Sequence, residues 1–269
     1  MSAQLELSIA MILLVLLAAA MLAARLLGQK FSWSAELQRK FVHLVSGSIA
    51  LSFPFVFFSV WPVIGLTLAA STLLLLSRQN GVAGTLGMAL HQAGRHSWGE
   101  FLFPASTALL FYAARGNPML FVLPMAVETF ADAAAALVGT KYGRRRFAVG
   151  EGYKSLEGVF AFVFVAWVAA FIVLLAMTGL DLGRAALLSF SAAIIGAGIE
   201  AVCVRGFDNL FVPLGLFVFV IEQMNALTSH LAILATVLLI ASCSVVFLVF
   251  ARQRTFTSVA GVAILLFAV

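Results

Sequence analysis

The chain is 269 residues long, 63% hydrophobic and only 10% charged, with a mean hydropathy of +1.12, whereas a soluble domain of this size is nearer half apolar and a quarter charged. That composition excludes a water-soluble enzyme, a disulfide-stapled secreted domain and a disordered scaffold, because none of them can keep so much apolar surface from water with so few charges. Sixteen Lys and Arg against 11 Asp and Glu give a formal net charge of +5, which in a polytopic membrane protein reads as topology and not as a nucleic-acid surface.

In chain order, apolar stretches of about 20 residues, each enough for one membrane crossing, fall near 5–27, 41–58, 60–76, 99–114, 118–140, 156–178, 185–204, 208–225 and 229–251. They predict an all-α polytopic fold of about nine transmembrane helices. The first stretch contains Glu6 and no basic residue ahead of it, so it lacks the charged leader of a cleavable signal and is expected to remain as a span. Residues 259–269 are apolar again but too short to cross, an interfacial stub or the beginning of a further helix. Cys203 and Cys243 lie in apolar runs without CxxC spacing and read as small buried hydrophobes.

Orientation follows from the basic residues, which cytoplasmic loops retain. With the N-terminus outside, one face holds Arg25, Lys30, Arg39, Lys40, Arg78, Arg95, Lys141, Arg144, Arg145, Arg146, Lys154, Arg205, Arg252 and Arg254, and the other only Arg115 and Arg184. This asymmetry agrees with an odd number of helices and assigns the polar loops to the cytoplasm.

Acids in or beside an apolar helix are costly and mark function or pairing. Glu128 and Asp132 are four residues apart, hence on one helical face, just ahead of the basic run Lys141 to Arg146. Carboxylate oxygens for a divalent cation beside Lys and Arg for phosphate oxygens form the pattern that holds a metal–polyphosphate. A solvated helix end flanked by positive-inside charge gives the same pattern.

The next span opens with Tyr153, Lys154, Ser155, Leu156, Glu157 and Gly158 after Gly150 and Gly152. This is no Walker loop, since Tyr153 and Ala148 stand where glycines are required. Glycines, a helix N-terminus and a lysine can nevertheless receive an anion, although a capped helix start with a snorkelling lysine is the ordinary alternative. Glu36, Arg39, Lys40 and His43 precede the second span. Anchoring explains the two cations, and His43 reads either as a satisfied core histidine or as a phosphate or proton ligand. Glu100 after Trp98, Glu200, and Asp208 with Asn209 and Pro213 are ordinary at helix boundaries, Asp208 as an N-cap.

Five segments in this order, RKFVHLVSG (39–47), WGEFLFP (98–104), ETFADAAAALVGTKYG (128–143), YKSLEG (153–158) and EAVCVRGFDNLFVP (200–213), resemble the polyprenol kinase family of phytol kinase, dolichol kinase and CTP-dependent diacylglycerol kinases, relatives of the CDP-diacylglycerol synthases. The resemblance covers about 36–225. It divides the chain into an N-terminal helix and linker (1–35), a catalytic membrane domain (36–225) and a C-terminal helix with an apolar tail (226–269).

The resemblance implies a kinase that moves the γ-phosphate of CTP onto the hydroxyl of a lipid alcohol dissolved in the bilayer, with Mg²⁺. Asp132, helped by Glu128 and Asp208, would hold the metal. Gly139, Lys141, Gly143, Arg144, Arg145 and Arg146 would shape the nucleotide loop with Lys154, Ser155, Gly158, Asp208 and Asn209. Glu157 or Glu100 would accept the hydroxyl proton, and Arg39, Lys40 and His43 would steady the transferring group. Asp132 and Lys154 are expected at polar helix ends, where alanine would abolish transfer without harming insertion. A phosphatidate cytidylyltransferase is the alternative, since it too needs Mg²⁺, CTP and a membrane lipid, and the RKxxH and KSxEG segments argue for the kinase. A transporter is the third reading, against which stand the absence of an internal repeat and acids gathered toward one side. Phytol, farnesol, geranylgeraniol, dolichol and diacylglycerol all present a hydroxyl on an apolar tail, and no segment of the sequence reports which is used or the oligomeric state. Twelve Arg against four Lys with abundant Ala point to a bacterial inner membrane with the site on its cytoplasmic face.

Overall fold

A computed structural model describes residues 3–77, 98–150 and 152–252, with side chains described for 4–75, 98–150 and 152–246. Arg78, Arg95, Arg254 and the tail 259–269 lie outside the described residues. The helices are α1 (Ala3–Phe31), α2 (Ala35–Ala50), α3 (Phe53–Val56), α4 (Val60–Ser77), α5 (Gly99–Ala113), α6 (Pro118–Tyr142), α7 (Leu156–Met177), α8 (Leu182–Val202), α9 (Asp208–Gln223) and α10 (Thr228–Arg252). Two short strands, β1 (Arg146–Val149) and β2 (Gly152–Ser155), precede α7.

The nine apolar stretches are largely helical, yet among the described residues only α1, α6, α7, α8 and α10 are long and apolar enough to cross a membrane by themselves. The stretch 41–58 shows why length falls short. It breaks after Ala50, where the Ser52 hydroxyl bonds back to the Ile49 carbonyl at 2.7 Å and Pro54 brings no N–H with which to extend the ladder. Elsewhere helix starts are capped by local polar residues: Ser34 accepts from Leu37 N, Asn117 from Met119 N and Asp181 from Arg184 N. Helical hydroxyls such as Thr107 and Thr140 bond to carbonyls one turn back, which satisfies them without water.

The strands correct the all-α expectation. β1 and β2 form an antiparallel hairpin in the register Arg146↔Ser155, Phe147↔Lys154, Ala148↔Tyr153 and Val149↔Gly152. Gly150, with φ +57°, begins its turn, and a Cβ there would meet Val204 at 2.7 Å. Phe147 and Val149 of β1 pack with Leu156 and Ala201 into a small core of their own. Lys154 and Ser155 are therefore strand residues, and the helix begins only at Leu156.

α6 is the centre of the molecule. Of its most apolar window 72% is buried, against 22% for α1 and 17% for α10, which lie at the periphery with aliphatic faces outward. It packs on α2, α7 and α9; α8 packs on α7, α9 and α10, while α1, α2, α4 and α5 form a chain of neighbours leading to α9. Glycines set the close approaches: a Cβ on Gly47 of α2 would meet the Thr129 side chain, and one on Gly158 of α7 would meet the Ala135 carbonyl of α6 at 2.9 Å. Neither cysteine is fully buried; Cys203 is half-buried after α8, and Cys243 is exposed on α10.

Candidate active site

Two helices meet at Gly47 and Thr129, and charged residues one to two turns before Gly47 on α2 face those within a turn of Thr129 on α6. From α2, Lys40 donates to Asp132 of α6, and His43 Nε2 lies 3.4 Å from the same Asp132 Oδ2 and 3.3 Å from the Glu128 carbonyl oxygen. Phe103 of α5 holds the His43 ring edge-on, with centroids 4.8 Å apart. Lys40 is 2% exposed, Glu128 0% and Asp132 6%. These are interior residues, so the expectation that Asp132 sits at a solvated helix end is corrected: it lies ten residues inside the end of α6. A buried charge survives only when paired or bound to a metal, which removes the solvated-end reading of this pair.

Asp132 and Glu128 differ in what they have left to offer. The Asp132 carboxylate is engaged by Lys40, whereas both Glu128 oxygens are buried without a hydrogen-bond partner. Asp208 Oδ1 and Asn209 Oδ1, in the first turn of α9, are likewise buried and unpartnered. The N-cap of α9 is Phe207, not Asp208, so Asp208 is released from capping. Arg39, held by Glu36 at 2.6 Å, feels both Asp132 and Asp208. Lys154 feels Glu200, Asp208 and Asp132. Glu36, Glu128, Asp132, Glu200 and Asp208 thus stand against Arg39, Lys40 and Lys154, a formal excess of two negative charges before His43 is counted.

Oxygen donors left over within a net-negative cluster fit a hard divalent cation such as Mg²⁺. His43, Glu128 and Asp132 offer ligand atoms within 4.8 Å of one another, but imidazole is a poor Mg²⁺ ligand. Of that group Glu128 has free oxygens to offer, whereas Asp132 is bound to Lys40; Asp208 Oδ1 and Asn209 Oδ1 are further unpartnered oxygens, and Asp208 is close enough to be felt electrostatically by Glu128.

The remaining predicted residues divide. Lys154 reaches the cluster from β2: it donates to the Glu200 carboxylate Oε1 at 2.6 Å and to the Glu200 carbonyl, an ion pair that sequence alone hid because Glu200 looked like a plain helix boundary. Burial disfavours the Lys154 ammonium, but Glu200, with Asp208, outweighs it and raises the lysine above its usual pKa, so it stays charged through the neutral range. Beside it, burial pushes the Cys203 thiol up to about 12. Glu100 opens α5, and the Trp98 N–H to Arg205 carbonyl bond of 2.8 Å ties that end to the loop before Asp208.

Glu157 is not brought in. Its two oxygens accept from the Arg145 backbone N–H at 3.2 and 3.3 Å, fastening the hairpin to α7. Ser155 caps α7 by accepting from Gly158 N at 3.1 Å, and Gly139, Gly143 and Gly158 crowd around its hydroxyl, where side chains would collide. These three glycines have a packing reason independent of any nucleotide. Lys141, Arg144, Arg145 and Arg146 are exposed beside the hairpin, with Arg146 Nε donating to the Gly143 carbonyl.

No protein-family model and no solved structure matches the chain. A phytol kinase of Synechocystis sp. is 31% identical over 204 residues, which span 74% of this chain and 84% of the relative. The chain belongs to the polyprenol kinase family. At that level it is a membrane-embedded phosphotransferase with a lipid alcohol as acceptor. The resemblance seen in the ordered motifs is therefore one of kinship, and all five segments contribute a residue to the cluster or to the loops framing it, 153–158 through Lys154.

Proposed function

We propose that the protein transfers the γ-phosphoryl group of CTP, with Mg²⁺, to the terminal hydroxyl of an isoprenoid alcohol such as phytol, farnesol or geranylgeraniol, at the cytoplasmic face of a bacterial inner membrane. The observation that carries this reading is the buried cluster of mixed sign: unpartnered oxygens at Glu128, Asp208 and Asn209 beside Arg39, Lys40 and Lys154, within a bundle whose outer faces are apolar. The domain limits 1–35, 36–225 and 226–269 and the arrangement of about nine spans with the N-terminus outside belong to the same proposal. They are supported by the distribution of basic residues and by the motifs all lying within 36–225.

Phosphoryl transfer depends chiefly on alignment and on cancelling negative charge. Bound Mg²⁺ would supply that cancellation at the phosphate oxygens, held by Glu128 with Asp208 and Asn209. Lys154 and Arg39 contribute positive charge from β2 and α2, each within the field of Asp132 and Asp208. Lys40 holds the Asp132 carboxylate in place, and Asp132 in turn lies 3.4 Å from His43 Nε2. Glu100, at the start of α5 by the Asp208 loop, is the better placed of the two proposed acceptors of the hydroxyl proton, since Glu157 is spent on the hairpin backbone. The exposed Arg144 to Arg146 run lies outside the buried cluster, where it can meet the polar end of a soluble nucleotide.

The test is purified protein in lipid micelles with Mg²⁺ and a mixture of isoprenoid alcohols, diacylglycerol and phosphatidate, given CTP labelled at the γ or the α phosphate. Label from γ in a lipid product is the expected result and names the acceptor. Label from α alone would mean cytidylyl transfer, and no lipid label from either in an intact preparation would overturn the reading.

A further inference from the structure

Glu200 has no role yet in the site as described, and its pairing with Lys154 is built unlike the Lys40–Asp132 pair. Lys154 gives two of its three ammonium N–H groups to a single residue, the carboxylate Oε1 of Glu200 at 2.6 Å and the backbone carbonyl of the same Glu200. That carbonyl is on offer because α8 ends there: the last carbonyls of a helix lack ladder partners and favour a cation. Cys203 N shares the same acceptor at 3.3 Å. The carboxylate side chain is 9% exposed and the lysine 21%, so the pair is shielded without being sealed off.

The partners come from different elements. Lys154 rides on the hairpin, which is fixed to the end of α8 by Phe147, Val149, Leu156 and Ala201, and its stem is a four-carbon chain that by itself would sample many rotamers. Two bonds to one rigid helix end select one of them. The third N–H remains, in the field of Asp208 and Asp132. Glu128, with two orphaned oxygens, is equipped to receive a ligand; Glu200, already bound to a lysine, is equipped to hold one side chain still.

We infer that Glu200 is a positioning residue, which clamps the Lys154 ammonium so that its remaining N–H addresses a phosphate oxygen of the nucleotide, and which itself touches neither nucleotide nor metal. The inference rests on Lys154 binding phosphate in the proposed kinase.

The experiment compares wild type, Glu200→Gln, Lys154→Ala and the double variant as full-length proteins in micelles, with CTP, Mg²⁺ and a phytol–farnesol mixture, measuring kcat and KM while Mg²⁺ is varied. E200Q should lower kcat roughly 10²-fold, the loss expected from a misplaced catalytic group, with an unchanged Mg²⁺ requirement. The double variant should be no worse than K154A, because the effect passes through one side chain. A wild-type kcat in E200Q, losses that add in the double variant, or rescue of E200Q by excess Mg²⁺ would each overturn it, the last by making Glu200 a metal ligand. Should E200Q fail to give a monodisperse preparation, Glu200→Asp carries the same cycle, its charge kept and its reach shortened. Failure of wild type to transfer γ-label takes down the kinase reading as well, whereas an active wild type with an indifferent E200Q removes only the clamp.

Discussion

Burying Lys40 against Asp132 commits both residues, since removing one member of a buried pair leaves the other as an uncompensated charge at a cost of about 3–5 kcal/mol. Lys40→Met should therefore lower the thermal unfolding midpoint in detergent markedly; a midpoint equal to wild type would mean that Asp132 finds another partner. Glu128 behaves in the opposite sense. Its oxygens are buried without partners, so in the absence of metal the carboxylate is a burden and Glu128→Gln should leave stability unchanged or raise it. Wild type should gain thermal stability on adding Mg²⁺, because a ligand that binds only the folded state stabilises it, and E128Q should lose both that gain and transfer. A full Mg²⁺ shift in E128Q would remove Glu128 from the metal site. The spacing of Glu128 and Asp132 was legible in sequence, as a shared helical face. Their unequal occupation was not, because the lysine that separates them in role is 92 positions away from Asp132.

At the scale of elements, the crossing of α2 over α6 aligns Lys40 and His43 with Asp132. A Cβ on Gly47 would lie 2.8 Å from Thr129 Cβ and nearer still to the rest of that side chain. Gly47→Val should force the helices apart at about 1–3 kcal/mol, typical of overpacking, and reduce transfer far more than Gly65→Ala, where nothing lies within 4 Å; equal activities would show that the crossing does not set the site. The hairpin is the element that sequence reading passed over. Its signal was present: two short runs with Phe147, Val149 and Tyr153 flank a turn opened by Gly150. The glycines and Lys154 drew attention as an anion loop instead, and the adjoining apolar helix masked strands only four residues long.

For the whole molecule, the basic residues carry the proposed orientation, in which Arg115 and Arg184 alone are expected on the opposite face. Reporter fusions should accordingly place residue 1 outside the cytoplasm and the α5–α6 turn at Arg115 on that same side, with the hairpin at Gly150 on the cytoplasmic side. A cytoplasmic signal at Arg115 would invert the bundle and separate the site from its soluble nucleotide.

Membrane residence, the positions of the helices and the family all lie in the sequence itself, because lipid imposes a length and an apolarity on each segment and the motifs keep their order. That the stretch 41–58 is not one continuous helix was decided by the break at Ser52 and Pro54. Only the tertiary structure decided which acid is spent on a lysine and which is left open, that Glu157 serves the hairpin, and that Glu200 holds Lys154. Each of these depends on contacts between residues distant in sequence, and hydropathy and spacing record how a segment meets its solvent but not which segment it meets.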